Sequence, residues 1–344
     1  MPSTSICVRS LDRLALCCGG AAVHYHPTGR AGILGAGARH VRALHTGKIA
    51  PTPGWRQHLE MRLRKFGPLD FGVPIIGQGS WEMPERGNAV EAAKEALRAG
   101  IELGMVHIDT AEMYGNGKSE KLIGEAIKGF PRERLFIVSK VLPSNASYEG
   151  TIKACEASLK RLQLDYLDCY LLHWLGNHPL SDTMAALEQL VSDGKIRALG
   201  VSNFDLSDLK EAESYLKNEP LACNQVLYNL YERGIERKLV PYCLQQNVAV
   251  VGYTPFAQRK PPEPTSKAGR VLAGIAEKHS APVRQVILAF LVRLDGLFTI
   301  PKAAKIDHVR ENAGAGDLIL DESDIQAIDA AYHAPTKDVP LGMV

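Results

Sequence analysis

Four side chains of this 344-residue chain could together hand a proton to an oxygen atom. Asp109 closes the run MVHID, and Tyr114 stands five residues on in TAEMYGNGKSE. Lys140 closes LFIVSK, and His173 closes YLDCYLLH. A phenol is a poor acid at neutral pH because its ordinary pKa is near 10. A neighbouring ammonium stabilises the phenolate and lowers that value, so Lys140 could tune Tyr114, with Asp109 fixing the position and charge of the lysine. His173 could hydrogen-bond an oxygen atom and orient it. General acid help of this kind is worth roughly 10²–10⁴ in rate. The set suits reduction of a carbonyl, which needs a proton on oxygen and a hydride on carbon. No side chain donates hydride, so a cofactor must supply it. Taken singly, each residue has an ordinary reading: a helix cap, a solvated lysine, a core histidine, a surface tyrosine. Their recurrence at the ends of consecutive strand-like runs is what points to chemistry.

Those runs alternate with amphipathic ones. From Arg62 a hairpin is expected first, RLRKFG and FGVPII around a turn at Pro68, Leu69 and Asp70. Eight strand-like runs follow: VPIIGQG, MVHID, LFIVSK, YLDCYLLH, IRALGVSN, LACNQV, VAVVGY and LFTIP. Helix-like segments lie between them, with apolar residues recurring every three or four positions, as at Ile152, Cys155, Leu159 and Leu162. The strands are nearly continuous apolar, as a parallel sheet covered on its outer face requires. Eight β/α units predict an α/β fold, a (β/α)8 TIM barrel. A doubly wound sheet would want a glycine fingerprint after its first strand, and GQGSWEM does not provide one. In a barrel the polar residues at the strand ends converge on one face: Asp109, Lys140, His173, Ser202 with Asn203, Gln225, Tyr253 and Lys302.

Composition sets the remaining bounds. A net charge of +2 gives no bulk field to suggest nucleic acid or an anionic membrane, and no apolar run approaches the roughly 20 residues of a membrane helix. The seven cysteines show no CxxC pair, so reduced core thiols in a cytosol-like compartment are expected. Residues 1–60 read differently: they are Arg-rich, almost without acids before Glu60, and hold neither strand nor helix period. They are expected to be a poorly ordered basic leader, either from an over-called start or as a transit peptide to an organelle matrix. Residues 61–335 would form the barrel, and residues 336–344 a short tail. His107 and Asp109 share one strand face, yet no third ligand accompanies them beyond His173, so no metal site is expected.

At this point the residues resemble the aldo-keto reductases. HIDTAEMYGNGKSE, LDYLDCYLLHW, KIRALGVSNF and TIPKA look like that family's signatures in the expected order, and the likeness covers about Lys65 to Tyr332. The resemblance implies a barrel that binds NADP(H) extended, a small carbonyl substrate and a monomer. It makes Tyr114 the general acid, Asp109 and Lys140 its tuning pair, and His173 the residue that orients substrate. Ser202, Asn203 and Gln225 match the residues that hold the nicotinamide carboxamide, and Tyr253 matches the ring that stacks on it. Thr254, Phe256 and Gln258 match the segment under the pyrophosphate. Lys302 matches the lysine at the 2′-phosphate, while Glu311 and Asn312 match adenine contacts. Trp81 and Trp174 match apolar pocket walls. Asn203 to Ser207 also looks like a helix-capping region.

Some positions depart from the family pattern. Ala303 follows the IPK lysine where many members carry Ser or Thr. His308 stands six residues after that lysine where many carry Arg, a permanent bidentate phosphate clamp. Weakened NADPH preference with measurable NADH use is therefore expected. Leu142 replaces a Trp found in several members. Because the tail after Tyr332 is short, an open, permissive cleft is expected. An alternative reading keeps the barrel and the nucleotide but makes the chain a regulatory or scaffold protein with little turnover; the intact set of four disfavours it.

Overall fold

The structure, a computed structural model, describes residues 61–259 and 262–344; the leader expected over residues 1–60 lies outside them. It opens with an antiparallel hairpin, β1 (Leu63–Lys65) and β2 (Gly72–Pro74), whose turn is closed by the Leu69 amide donating to the Phe66 carbonyl. Eight parallel strands follow: β3 (Gln78–Gly79), β4 (His107–Asp109), β5 (Phe136–Val141), β6 (Cys169–Leu172), β7 (Leu199–Ser202), β8 (Cys223–Leu227), β9 (Ala249–Tyr253) and β10 (Leu297–Thr299). They are hydrogen-bonded in chain order. Parallel bridges Ile76↔Thr299 and Gly79↔Lys302 join the first to the last and close the barrel.

The helices expected between the strands form: α1 (Asn88–Glu102), α2 (Lys118–Ala126), α3 (Tyr148–Leu162), α4 (Leu180–Ser192), α5 (Leu206–Tyr215), α6 (Leu239–Gln245) and α7 (Lys267–Lys278). After them come α8 (Val283–Leu291), α9 (Ile306–Gly314) and α10 (Glu322–Ala331). The capping region before α5 resolves to one residue. Asp205 is the N-cap and forms a capping box with Asp208. Ser202 and Asn203 are therefore free of the capping role and lie on the site face instead. Among the described residues no helix is long and apolar enough to cross a membrane.

Strand alternation decides what reaches the site. Phe136, Val138, Cys169, Leu171, Cys223, Ala249, Val251, Phe298 and Ile300 pack together inside the barrel. Ile108, Ile137, Val141, Tyr170, Leu172, Val226 and Val250, one residue out of phase, pack with the helices. Continuing the inner columns by steps of two leads from Phe136 and Val138 to Lys140, from Cys169 and Leu171 to His173, and from Val251 to Tyr253. Cys155, Cys169, Cys223 and Cys243 are buried free thiols, in line with the core role expected for them.

At the other end of the columns the hairpin plugs the barrel. Phe66 is fully buried, with its ring 4.8 Å from Phe136 and 5.0 Å from Phe298. The His107 ring sits edge-on to Phe66 and Phe136 in the same aromatic layer. Neither of its nitrogens makes a well-aligned hydrogen bond. The Pro74 carbonyl slightly favours the protonated ring, but burial dominates, Lys140 adds to it, and the pKa falls to about 3.

That burial has a measurable consequence. The folded state keeps His107 neutral while the unfolded chain protonates it below about pH 6.5, so the unfolded state binds more protons on acidification. Stability should fall by roughly 1.4 kcal/mol per pH unit from this residue alone, between about pH 6.5 and about 3. Urea unfolding of His107→Met across that range should show a slope shallower by about one proton; parallel slopes would show that His107 is not buried neutral.

Candidate active site

The four candidate proton-handling residues meet at the carboxyl-terminal ends of β4, β5 and β6. Lys140 donates to both carboxylate oxygens of Asp109, at 2.9 and 2.7 Å, and to the Thr110 carbonyl at 2.8 Å. Its Nζ lies 3.3 Å from the Tyr114 hydroxyl. The lysine and aspartate side chains are 0% and 2% exposed, so the pair is cut off from water. The Asp109 carboxylate also accepts a 2.7 Å bond from the Gln225 side-chain amide. Burial by itself would lower the lysine pKa, but Asp109 and Tyr114 more than offset it and the net shift is upward, so the ammonium persists.

Tyr114 departs from the electrostatic expectation. Burial is the largest influence and raises its pKa. Lys140 pulls the value down, while Asp109 cancels part of that pull. The neighbouring ammonium thus does not lower the phenol below its ordinary value in this state, and Tyr114 remains a proton-bearing acid. The His173 ring stands 5.8 Å from the Tyr114 ring and 4.7 Å from the Trp174 ring. Burial, helped by Lys140, lowers the His173 pKa to about 2. It is a neutral imidazole with a buried Nδ1 that has no hydrogen-bond partner, able to offer one N–H to an oxygen atom.

Ser202 and Asn203 are anchored beside it. Ser202 Oγ donates to the Gln225 carbonyl at 2.9 Å, and Asn203 Nδ2 donates to the His173 carbonyl at 3.1 Å. Asn203 adopts a left-handed φ of 61°, which asparagine tolerates better than most residues. The Tyr253 hydroxyl donates to Asn203 Oδ1 at 2.7 Å. Tyr253 and Asn203 are therefore bonded to each other. Gln225 also places a side-chain N–H on Asp109, a contact the sequence did not indicate.

Further along the rim, Thr254 and Gln258 have φ of 54° and 52°, and Phe256 lies between them. Lys302 follows β10 and is partly exposed, His308 occupies the first turn of α9, and Glu311 and Asn312 follow on that helix. The Asn312 side-chain oxygen is buried without a hydrogen-bond partner. A polar atom left this way costs stability unless a ligand satisfies it, so this segment fits a nucleotide. Trp81 is 41% exposed, and Trp174 and Leu142 are partly buried.

Three contributors were not read from the sequence. Glu112 accepts the Leu142 amide at 2.6 Å and ties the Tyr114 loop to the end of β5. Glu120 on α2 is fully buried; it accepts from Ser139 Oγ at 2.6 Å and from Arg161. Arg284 on α8 lies against Phe256. All are charged residues on helices or loops, where the default reading is a solvated face; the fold buries Glu120 and partly covers Glu112 and Arg284. The tail also differs from expectation. Asp338 is paired with Arg237 and Lys238, and the Val344 backbone hydrogen-bonds the Tyr253 hydroxyl. The tail therefore lies along the site rather than leaving the cleft bare. A cavity of about 440 Å³ sits between residues 338–342 and the start of α5, and none of the proton-handling residues lines it.

A closed parallel barrel carrying a buried lysine–aspartate pair under a phenol, with a neutral histidine alongside, defines a barrel oxidoreductase. The chain belongs to the aldo/keto reductase family, whose sequence profile matches residues 75–333. It is 46% identical to the methylglyoxal reductase YeaE of Escherichia coli over 275 residues, 80% of this chain and 96% of that protein. It is 41% identical to a glyoxal reductase of Bacillus subtilis over 260 residues, 75% and 88% of the two chains. A crystal structure of an aldo/keto reductase from Klebsiella pneumoniae with NADP and acetate superposes with a TM-score of 0.77. Its sequence is 41% identical, and the match covers 82% of this chain and all of that one.

The Lys140–Asp109 pair yields a direct test. Lys140→Met leaves Asp109 buried with no cation, and breaking a buried pair this way costs about 3–5 kcal/mol. Chemical denaturation should show that loss, and Asp109→Asn added to Lys140→Met should recover part of it. A single variant as stable as the wild type would contradict the burial described above.

Proposed function

We propose that the protein reduces small aldehydes and ketones to alcohols with NADP(H), Tyr114 delivering the proton. The observation that carries this reading is the 3.3 Å approach of the fully buried Lys140 ammonium to the Tyr114 hydroxyl. The methylglyoxal and glyoxal reductases among its relatives favour small, reactive aldehydes and 1,2-dicarbonyls as the substrate class. The scaffold alternative gains no support, since every component of proton delivery is present.

When bound, the nicotinamide supplies hydride to the carbonyl carbon. The chain's own residues handle the oxygen. His173, neutral and edge-on to the Tyr114 ring, offers an N–H that orients the carbonyl. The Tyr114 phenol, whose pKa burial raises above its ordinary value, transfers its proton as negative charge develops on that oxygen. The phenolate left behind lies beside Lys140, whose ammonium is held by Asp109 and the Thr110 carbonyl, and the charge is stabilised in a site with little water to screen it. Ser202, Asn203 and Gln225 would hold the carboxamide, with Tyr253 against the ring. Thr254, Phe256 and Gln258 would underlie the pyrophosphate, and Lys302, His308, Glu311 and Asn312 the adenosine end. Trp81, Trp174 and Leu142 would wall the substrate space. The four buried thiols support a reducing, cytosol-like compartment, and a monomer suffices because the site is built within one chain.

Tyr114→Phe should bind NADPH as wild type does and lose at least about 10²-fold in kcat. Fluorescence titration and steady-state turnover of methylglyoxal would measure the two; unchanged turnover would remove Tyr114 from the role. Ala303 and His308 lower the expected discrimination between nucleotides. The kcat/KM ratio of NADPH to NADH should lie below about 10⁴, equivalent to about 5.5 kcal/mol, and His308→Arg should raise it.

A further inference from the structure

Arg284 is the strongest unassigned group near the cofactor segments. It lies in the first turn of α8, and its guanidinium carbon is 3.7 Å from the centre of the Phe256 ring. Its Nε is 3.5 Å from a Glu311 carboxylate oxygen. That Nε is nonetheless buried without a well-formed hydrogen bond, as is the oxygen of the adjacent Asn312. The neighbouring Gln285 donates to the Glu311 carbonyl at 3.0 Å, fastening the start of α8 to α9. Arg284 thus bridges Phe256, in the segment under the pyrophosphate, and Glu311, in the adenine segment.

A purely structural arginine would complete its hydrogen bonds on Glu311. This one instead sits over an aromatic ring, with its Nε lacking a well-formed hydrogen bond and its side chain 31% exposed. We infer that Arg284 is a specificity residue for NADP(H): its guanidinium supplies the 2′-phosphate with a permanent, forked cation at a site where His308 replaces the arginine of many relatives. Burial lowers its pKa and Glu311 opposes the shift, and a guanidinium keeps its charge in proteins. The Phe256 ring holds the guanidinium plane in advance, which reduces the entropy lost when phosphate binds. Stacking on adenine alone would serve NAD(H) and NADP(H) equally; a phosphate contact separates them.

This inference rests on the NADP(H) reading above, and the test separates the two. Calorimetric titration of the full-length protein would use adenosine 2′,5′-bisphosphate and 5′-AMP, with NADPH and NADH alongside. Arg284→Gln should weaken the bisphosphate and NADPH at least about tenfold and change AMP and NADH by less than about twofold. Arg284→Lys should recover part of the loss, because charge remains while the fork is gone. Equal losses for the phosphorylated and unphosphorylated ligands, or no loss for either, would overturn the assignment while leaving the reductase reading standing. Wild-type protein that failed to bind NADPH would overturn both. Unchanged circular dichroism and melting temperature in both variants would confirm that the losses arise at the site.

Discussion

A single ion pair organises this molecule. Lys140 and Asp109 are charged groups placed where water does not reach, and isolating either would cost several kcal/mol. The pair is tolerable because its remaining hydrogen-bond capacity is filled: the Thr110 carbonyl and the Tyr114 hydroxyl take the lysine, and the Gln225 amide takes the aspartate. Those partners come from two adjacent strands, the loop between them and a strand on the opposite wall. Only a closed barrel brings them to one point. The same low-dielectric setting that makes the pair expensive gives its field leverage on the phenol beside it.

The phenol itself experiences a balance. A naked ammonium would acidify it strongly, but Asp109 neutralises much of that charge, and burial penalises the phenolate. The outcome is an acid that holds its proton until an adjacent oxygen becomes basic, which suits reduction. The neutral His173 fits the same logic, since a second cation beside Lys140 would be repelled. The loop carrying Tyr114 is held by carboxylates rather than by apolar packing alone. Glu112 grips the end of β5, and Glu120 joins α2 to Ser139 and Arg161. These braces, Glu120 fully buried and Glu112 partly so, keep phenol and ammonium in register.

The cofactor half is assembled differently. The residues proposed for it lie on strand ends, loops and the late helices α8 and α9, and several donors and acceptors there remain unfilled or are bonded to one another. Tyr253 holds Asn203, the Val344 backbone meets the Tyr253 hydroxyl, and Asn312 and Arg284 keep buried atoms without partners. The Lys140–Asp109 pair has its bonds filled within the chain, whereas the residues proposed for the nucleotide have bonds to exchange. This division matches a catalyst whose acid is permanent and whose hydride source comes and goes.

Much of this was legible in the residues themselves. Eight strand-like runs, their near-continuous apolar character and the polar residue at each end determined the barrel and its reactive face, because parallel strands share one direction and period-2 alternation carries through each of them. The identities of Asp109, Tyr114, Lys140 and His173 determined the chemistry available. Tertiary structure decided the charge balance on Tyr114, since burial and a neutralising neighbour are properties of surroundings rather than of residue type. It also decided that Asp205 rather than Asn203 caps α5, that Glu112 and Glu120 turn inward, that the tail lies along the site, and that Arg284 meets Phe256 and Glu311. Each of these joins residues whose local patterns carry no sign of one another, and only the closing of the barrel brings them together.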